Sequence, residues 1–206
     1  HALYAADVAD AQAMAGAAHD FMQRFGVPDI VIANAGVSVG TLTEHPEDVA
    51  VFERVMRTNV VGLAATFQPF IAPMRAARRG RLAGISSVAG MRGLPGAGAY
   101  SASKAAAITY LEALRIELKP SGVKVVTVCP GYVATPLTAV NRYRMPFILP
   151  ADVAARRIAR VIDAGRAYAV VPWQMALVAR AMKLMPNAVY DRLFKRAGRK
   201  PRGLKL

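Results

Sequence analysis

The sequence predicts one α/β domain, an open, doubly wound parallel sheet, on three observations. Apolar runs of strand length alternate with longer segments of helical period. The strand-like runs end in small or polar residues just before the next helical segment, as the ligand-binding edge of a parallel sheet does. The 206 residues carry no internal repeat and no low-complexity linker, a length suited to a single core.

The first strand is expected in Asp29–Gly36, "DIVIANAG", which opens after Pro28 and stops at Asn-Ala-Gly. Gly80–Ser87 and Val123–Gly131 have the same character, and the second of these is β-branched almost throughout, as in a strand covered on both faces. Arg166–Pro172 is a fourth candidate. Between them, a helix is expected from Asp10 as N-cap to Gly26 as stop. A long helical segment spans Pro46–Ala77, with a break or bend expected near Pro69 and Pro73. Further helices are expected from about Ser101 to Lys119-Pro120 and from Pro150 to Gly165.

Composition is that of a globular chain, 54% apolar and 19% charged. Every apolar run is interrupted by charge before the roughly 20 residues a membrane span needs. The opening residues show neither the n-region nor the h-region of a secretory signal, and the single Cys129 suits a reducing compartment, so a cytoplasmic location is expected. The net charge of +14 sits in the last third: residues 141–206 hold 15 Lys and Arg against 3 Asp and Glu, whereas residues 1–140 hold 12 against 10. The final "LFKRAGRKPRGLKL" reads as a loosely held basic tail. Residues 173–206 are accordingly separated, as a basic helical extension, from a core at 1–172. Either the extension packs on the core, or it touches an anionic membrane surface peripherally, on the inner face. It lacks the interleaved aromatics and recognition motif of a nucleic-acid binder. His1, His19 and His45 show no metal-ligand spacing, so no metal is expected.

Chemistry is expected where the strands end: at Asn34-Ala35-Gly36, at Ser86-Ser87, and at Pro130-Gly131-Tyr132-Val133-Ala134-Thr135. Tyr100 and Lys104 open the helix after Ser87, one turn apart on one face. An ammonium beside a phenol favours the phenolate and lowers its pKa from about 10. Such a Tyr can give a proton to a carbonyl or take one from an alcohol, and a Ser at the adjacent strand end can hold the same oxygen. The bland alternative is a surface pair on an amphipathic helix. Asn59 can likewise be read as satisfying buried backbone in a helix bend, and Asp7 as a turn or cap residue.

Ser87, Tyr100-Ser-Ala-Ser-Lys104, Asn34-Ala-Gly36 and Pro130-Gly131-Tyr-Val133-Ala-Thr135 together resemble the short-chain dehydrogenase/reductase family, over about Tyr4 to Val171. The resemblance implies a Rossmann-like fold and an NAD(P)-dependent oxidoreductase interconverting a carbonyl and an alcohol. Tyr100 would be the general acid/base, with Lys104 lowering its pKa and holding the nicotinamide ribose. Ser87 would orient the carbonyl, and Asn59, in "RTNVVG", would complete a proton relay. Asp7-Val8 would touch the adenine, and Asn34, Ala35 and Gly36 would line the adenine–ribose side. Pro130, Gly131, Val133 and Thr135 would contact the nicotinamide. The family's Gly-rich phosphate turn is not among these residues, nor are the basic residues that separate NADP from NAD. The expectation is therefore a portion of a longer protein. The alternative is a non-catalytic scaffold that has lost its cofactor. "PLTAVNRYRMPFILPAD" is expected to cover an apolar substrate, with Arg142 and Arg144 available to an anionic group. The helices within Pro46–Ala77 and Tyr100–Lys119 resemble those that pair subunits in the family, implying a homodimer or homotetramer.

Overall fold

The computed structural model describes residues 1–141 and 143–203. Its main sheet has four parallel strands, β1 (Ile30–Ala33), β2 (Arg81–Ile85), β3 (Lys124–Pro130) and β6 (Tyr168–Val171), in the order β1-β2-β3-β6. A small parallel pair, β4 (Val133–Ala134) with β5 (Leu149–Pro150), lies beyond β3. All four expected strands are present, each shorter than its apolar run because the terminal small residues leave the ladder.

Helix α1 (Ala11–Phe25) begins where the Asp10 carboxylate accepts from the amides of Gln12 and Ala13, and it ends at Gly26 with φ 77°. From β1 the chain crosses through α2 (Glu47–Met56), a π-helical turn at Arg57–Val61, and α3 (Gly62–Ala76). Of the break or bend expected near Pro69 and Pro73, a break does not occur: both prolines lie inside α3. A Pro in a helix interior costs about 3 kcal/mol. Burying Leu63, Phe67 and Met74 on the same helix contributes about 1.5–3 kcal/mol each, enough to offset two prolines. The irregularity falls instead at the π turn, where Asn59 is buried.

Helix α4 (Gly98–Leu118) links β2 to β3 and begins two to three residues earlier than expected, so Tyr100 and Lys104 are both inside its first two turns. Short α5 (Pro136–Ala139) and the longer α6 (Ala151–Asp163) lead to β6, and α7 (Trp173–Leu184) and α8 (Asn187–Phe194) follow. The sheet is covered on both faces except at edge strand β1, where Ile32 is 50% exposed. Val31, Leu82 and Val125 pack with α3 and with Leu111 and Leu114 of α4. On the other face Ala83, Val126 and Val128 pack with Ile162 of α6. Alternate β3 residues thus enter opposite half-cores, which accounts for its unbroken run of β-branched residues.

The extension after β6 packs on the core, and the basic tail that begins at Leu193 is docked as far as it is described, through Lys200 and Arg202. Arg92 donates to the carbonyl oxygens of Met182 and Met185 and to Asn187, and its guanidinium lies 3.9 Å from the Tyr190 ring centroid. Tyr190 Oη donates to Gly93 O at 2.8 Å. Arg202 pairs with Asp48 and Glu47, bringing the end of the described chain across to the start of α2.

Candidate active site

The carboxyl ends of β2 and β3 and the start of α4 form a crevice of about 450 Å³. Ser87 ends the β2 run in extended conformation, and its Oγ accepts from Ala89 N at 3.1 Å, capping the short turn Val88–Gly90. That turn packs tightly against α4: a Cβ at Gly90 would sit 2.6 Å from the carbonyl carbon of Lys104. Ser86 Oγ donates to Lys104 O at 2.8 Å, pinning strand end to helix. Both serines line the crevice, but the Ser86 hydroxyl is committed to Lys104 O, while Ser87 also lines the adjoining cavity with Tyr100.

Lys104 is buried, and its Nζ donates to Ile85 O at 2.9 Å and lies 5.8 Å from the Tyr100 ring centroid. Burial lowers the Lys104 pKa from 10.5 to about 8. The expectation that Lys104 depresses Tyr100 is not met in this state. Burial raises the Tyr100 phenol above its ordinary value, and the only opposing influence is the Ser87 hydroxyl. Desolvation of the phenolate outweighs that one hydrogen-bonding neighbour.

Asn59 uses its whole amide. Its Oδ1 accepts from Val37 N at 2.8 Å, and its Nδ2 donates to Val37 O at 3.0 Å and to Ser103 Oγ at 2.9 Å. Ser103 Oγ in turn donates to Tyr100 O at 2.8 Å. The backbone-satisfying reading of Asn59 is thus realised, in a helix distortion of the kind expected. Asn59 and Lys104 also flank Gly36: a Cβ added there would lie 3.2 Å from Asn59 Oδ1 and 3.3 Å from Lys104 Nζ. Glycine at 36 leaves both atoms uncrowded.

Asn34, Gly36, Pro130, Gly131, Val133 and Thr135 all line the same crevice, and Ala35 is exposed between two of them. Asp7 and Val8 are not brought there. Asp7 Oδ1 accepts from Ala9 N at 2.9 Å and borders a separate open hollow, while Val8 packs against Gly62 of α3. In the lid, Arg144 lines a neighbouring cavity and Phe147 and Ile148 are substantially exposed, so only part of the segment faces inward. Arg142 lies outside the described residues. Sequence reasoning missed Ser38 and Lys200, which line an adjoining cavity with Ser87, Tyr100, Tyr132 and Tyr143. No local motif marks them, and Lys200 reaches the site only through the path of the tail. Among the described residues no cluster of His, Cys, Asp or Glu is arranged to hold a metal ion.

The chain is 41% identical over 163 residues to an uncharacterized oxidoreductase of Myxococcus xanthus, covering 79% of this chain and 64% of that protein. It is 33% identical over 154 residues to the cis-4-hydroxycyclohexanecarboxylate dehydrogenase of Sinomonas cyclohexanicum, covering 75% of this chain and 59% of that enzyme. The matched region is thus about three fifths of the length of these curated relatives. A solved structure of ElxO with NADP bound has a TM-score of 0.72 at 20% identity, covering 82% of this chain and 76% of that one, a likeness of fold. The short chain dehydrogenase family model matches residues 1–145, and with the parallel sheet and the relatives at these identities, the chain belongs to the short-chain dehydrogenase/reductase family.

Proposed function

We propose that the protein is an NAD(P)-dependent oxidoreductase that interconverts a carbonyl and an alcohol, with Tyr100 as the proton-transfer group. The observation that carries this reading is the convergence of Ser87, Tyr100 and Lys104, from two different elements, on one crevice at the carboxyl edge of a parallel sheet. The residues present suit a nicotinamide nucleoside. Lys104 has three N–H donors, of which Ile85 O takes one, leaving others for ribose hydroxyls. Pro130 and Val133 offer apolar surface to a ring, and Asn34 and Thr135 offer polar edges.

When bound, the nicotinamide supplies or accepts the hydride. Tyr100 Oη donates a proton to the carbonyl oxygen during reduction and accepts it from the hydroxyl during oxidation. Ser87 Oγ, free of the ladder, donates to the same oxygen and fixes its position. Lys104 holds a positive charge beside the phenol, which favours the phenolate when proton transfer occurs. Asn59, through Val37 and Ser103, keeps α4 and the Gly36 loop in register around them. One relative's name specifies a hydroxycycloalkane carboxylate, which supports an alcohol/carbonyl substrate with an apolar body.

Exposed Val49 and Phe52 on α2 and Ile116 on α4 support pairing of subunits through these helices, which light scattering tests as a dimer or tetramer mass. Exposed Trp173, Leu177 and Leu184 on α7, beside Arg180 and Lys183, support peripheral contact with an anionic bilayer. No described helix is long and apolar enough to cross a membrane. Pelleting with anionic but not neutral vesicles is the expected result.

The test of the enzymatic reading uses protein expressed from the whole gene. NADH and NADPH are titrated by fluorescence, and turnover is followed with a panel of ketones. Binding of at least one nucleotide with ketone-dependent oxidation is expected. Failure to bind either would leave the scaffold reading in its place.

A further inference from the structure

The segment after α8 runs back across the carboxyl edge of the sheet and is fastened at Lys200-Pro201 and again at Arg202. Gly40 N donates to Pro201 O at 2.9 Å, and a Cβ at residue 40 would lie 2.1 Å from Lys200 O, so only glycine admits the strap. Two residues on, Arg202 forks onto Asp48, with Nε to Oδ2 at 2.7 Å and Nη2 to Oδ1 at 3.2 Å, and reaches Glu47 Oε1 at 2.9 Å.

Next to these fastenings the Lys200 side chain turns inward and is 7% exposed. Its ammonium donates to Ser38 Oγ at 3.0 Å and to Leu137 O at 3.1 Å. Both partners are neutral, and an ammonium has a third donor. No carboxylate lies within ion-pair distance of Lys200 among the described residues. The acids nearest in sequence contact to the strap, Glu47 and Asp48, are both engaged by Arg202. A buried cation is ordinarily paired with an anion, and burial here depresses the Lys200 pKa. Lys200 shares a cavity of about 100 Å³ with Ser87 and Tyr100, and it borders an adjoining one of about 280 Å³ that also holds Arg144. The proton-transfer phenol and an unneutralised cation therefore face the same chamber.

We propose that Lys200 is the anion-recognition residue of the substrate site, and that the substrate is an oxo or hydroxy carboxylate. Its carboxylate takes the free donor of Lys200 while its carbonyl oxygen lies at Tyr100 and Ser87. One spare N–H suits one carboxylate oxygen, whereas a phosphate dianion demands more donors. The carboxylate is a spectator: the carbonyl gains a hydride from the reduced nicotinamide and a proton from Tyr100, and becomes the alcohol. The inference rests on the oxidoreductase reading for its reacting end, but the anion site stands on the burial and partners of Lys200.

The test uses straight-chain and cyclic oxo acids, each paired with its methyl ester, and protein expressed from the whole gene. Binding is read by calorimetry with cofactor present, and turnover by nicotinamide absorbance. The parent protein is expected to favour acid over ester in both. Lys200→Met should reduce the acid-to-ester ratio about ten- to hundredfold, the worth of a hydrogen bond to a charged group. Lys200→Arg should restore part of that ratio, which a merely unfolded strap would not allow. An acid bound no more tightly than its ester, or a ratio unmoved in Lys200→Met, overturns the proposal even where ketones are turned over. Lys200-dependent binding of acids with no turnover of any ketone upholds the anion site and overturns the oxidoreductase reading instead.

Discussion

Lys104 Nζ donates to Ile85 O at 2.9 Å, tying the helix that carries Tyr100 to the last residue of the strand that leads into Ser87. One ammonium thereby sets the spacing of the two groups that address a single substrate oxygen in the proposed reaction. The bond comes at a cost, because the cation is buried with a neutral partner and its pKa falls to about 8.

That cost has an unusual pH signature. The folded protein releases the Lys104 proton near pH 8, whereas an unfolded Lys keeps it to 10.5. Across that window the unfolded chain binds more protons, so stability rises with pH, by about 3 kcal/mol in full. Activity that needs the ammonium falls over the same range. Lys104→Met should be more stable than the parent at pH 7 by about 2 kcal/mol, after the lost bond to Ile85 O is set against the relieved charge, and should be nearly inactive. Urea titrations at pH 7 and pH 9 check this: the advantage of the variant must shrink at the higher pH.

Tyr100→Phe removes the hydroxyl without disturbing the ring that packs near Lys104. Turnover should drop about 10²- to 10⁴-fold, the usual contribution of a positioned acid or base, while the nucleotide dissociation constant changes little. Because burial raises the Tyr100 pKa, the parent phenol stays protonated at neutral pH and is ready as an acid for reduction. Steady-state kinetics with a nucleotide titration on the same samples separate the two effects. A variant that keeps most of its kcat would remove Tyr100 from the proton transfer.

The parts of this site legible in the sequence are those that sit within a few residues of a strand end. Ser87, Tyr100, Lys104 and the loop Pro130–Thr135 are placed by the period of β2, α4 and β3, which apolar patterning reveals. The π turn at Arg57–Val61 was hidden because Pro69 and Pro73 are the stronger local breakers, yet packing of Phe67 and Met74 overrides them. Asp7 and Val8, which resemblance assigns to the adenine, lie apart from the crevice of Ser87 and Tyr100; Asp7 borders a hollow that takes in Val37, next to Gly36. Lys200 was illegible for a different reason. Its burial depends on a strap held by Gly40, Asp48 and Ser38, partners some 150–160 residues earlier, and a run of Gly, Pro and basic residues gives no sign of such docking.

Asn59→Ala should cost more stability than a buried polar-to-Ala change usually does. The substitution strands Val37 N and Val37 O and removes the donor to Ser103 Oγ, all in or near the core. Leaving buried donors and acceptors unpaired costs about 1–3 kcal/mol each, partly recovered by entering water, so a loss of about 2–4 kcal/mol is expected. Asn59→Asp keeps the acceptor for Val37 N but not the donors, and should fall between. Chemical denaturation of the three proteins gives the order, and a near-neutral Asn59→Ala would show that the π turn does not depend on this amide.

Arg202→Ala tests whether the strap is held by its ion pairs. The Arg202 guanidinium keeps the Asp48 carboxyl below its ordinary range, assisted by the Leu42 amide. A carboxylate whose pKa is depressed on docking favours the docked state above its free pKa and ceases to do so as pH falls through the lower, docked value. The strap should therefore stay closed at neutral pH and open in acid. In Arg202→Ala, amide exchange across residues 195–203 should quicken at pH 7, while α4 and β3 remain protected. Gly40→Ala should open the strap by a different route, since its Cβ would occupy the space of Lys200 O. If Lys200 recognises the substrate, both variants should raise the KM for oxo acids more than they lower kcat. Equal exchange in parent and Arg202→Ala would mean that the contact of Gly40 with Pro201 O is enough to hold the strap.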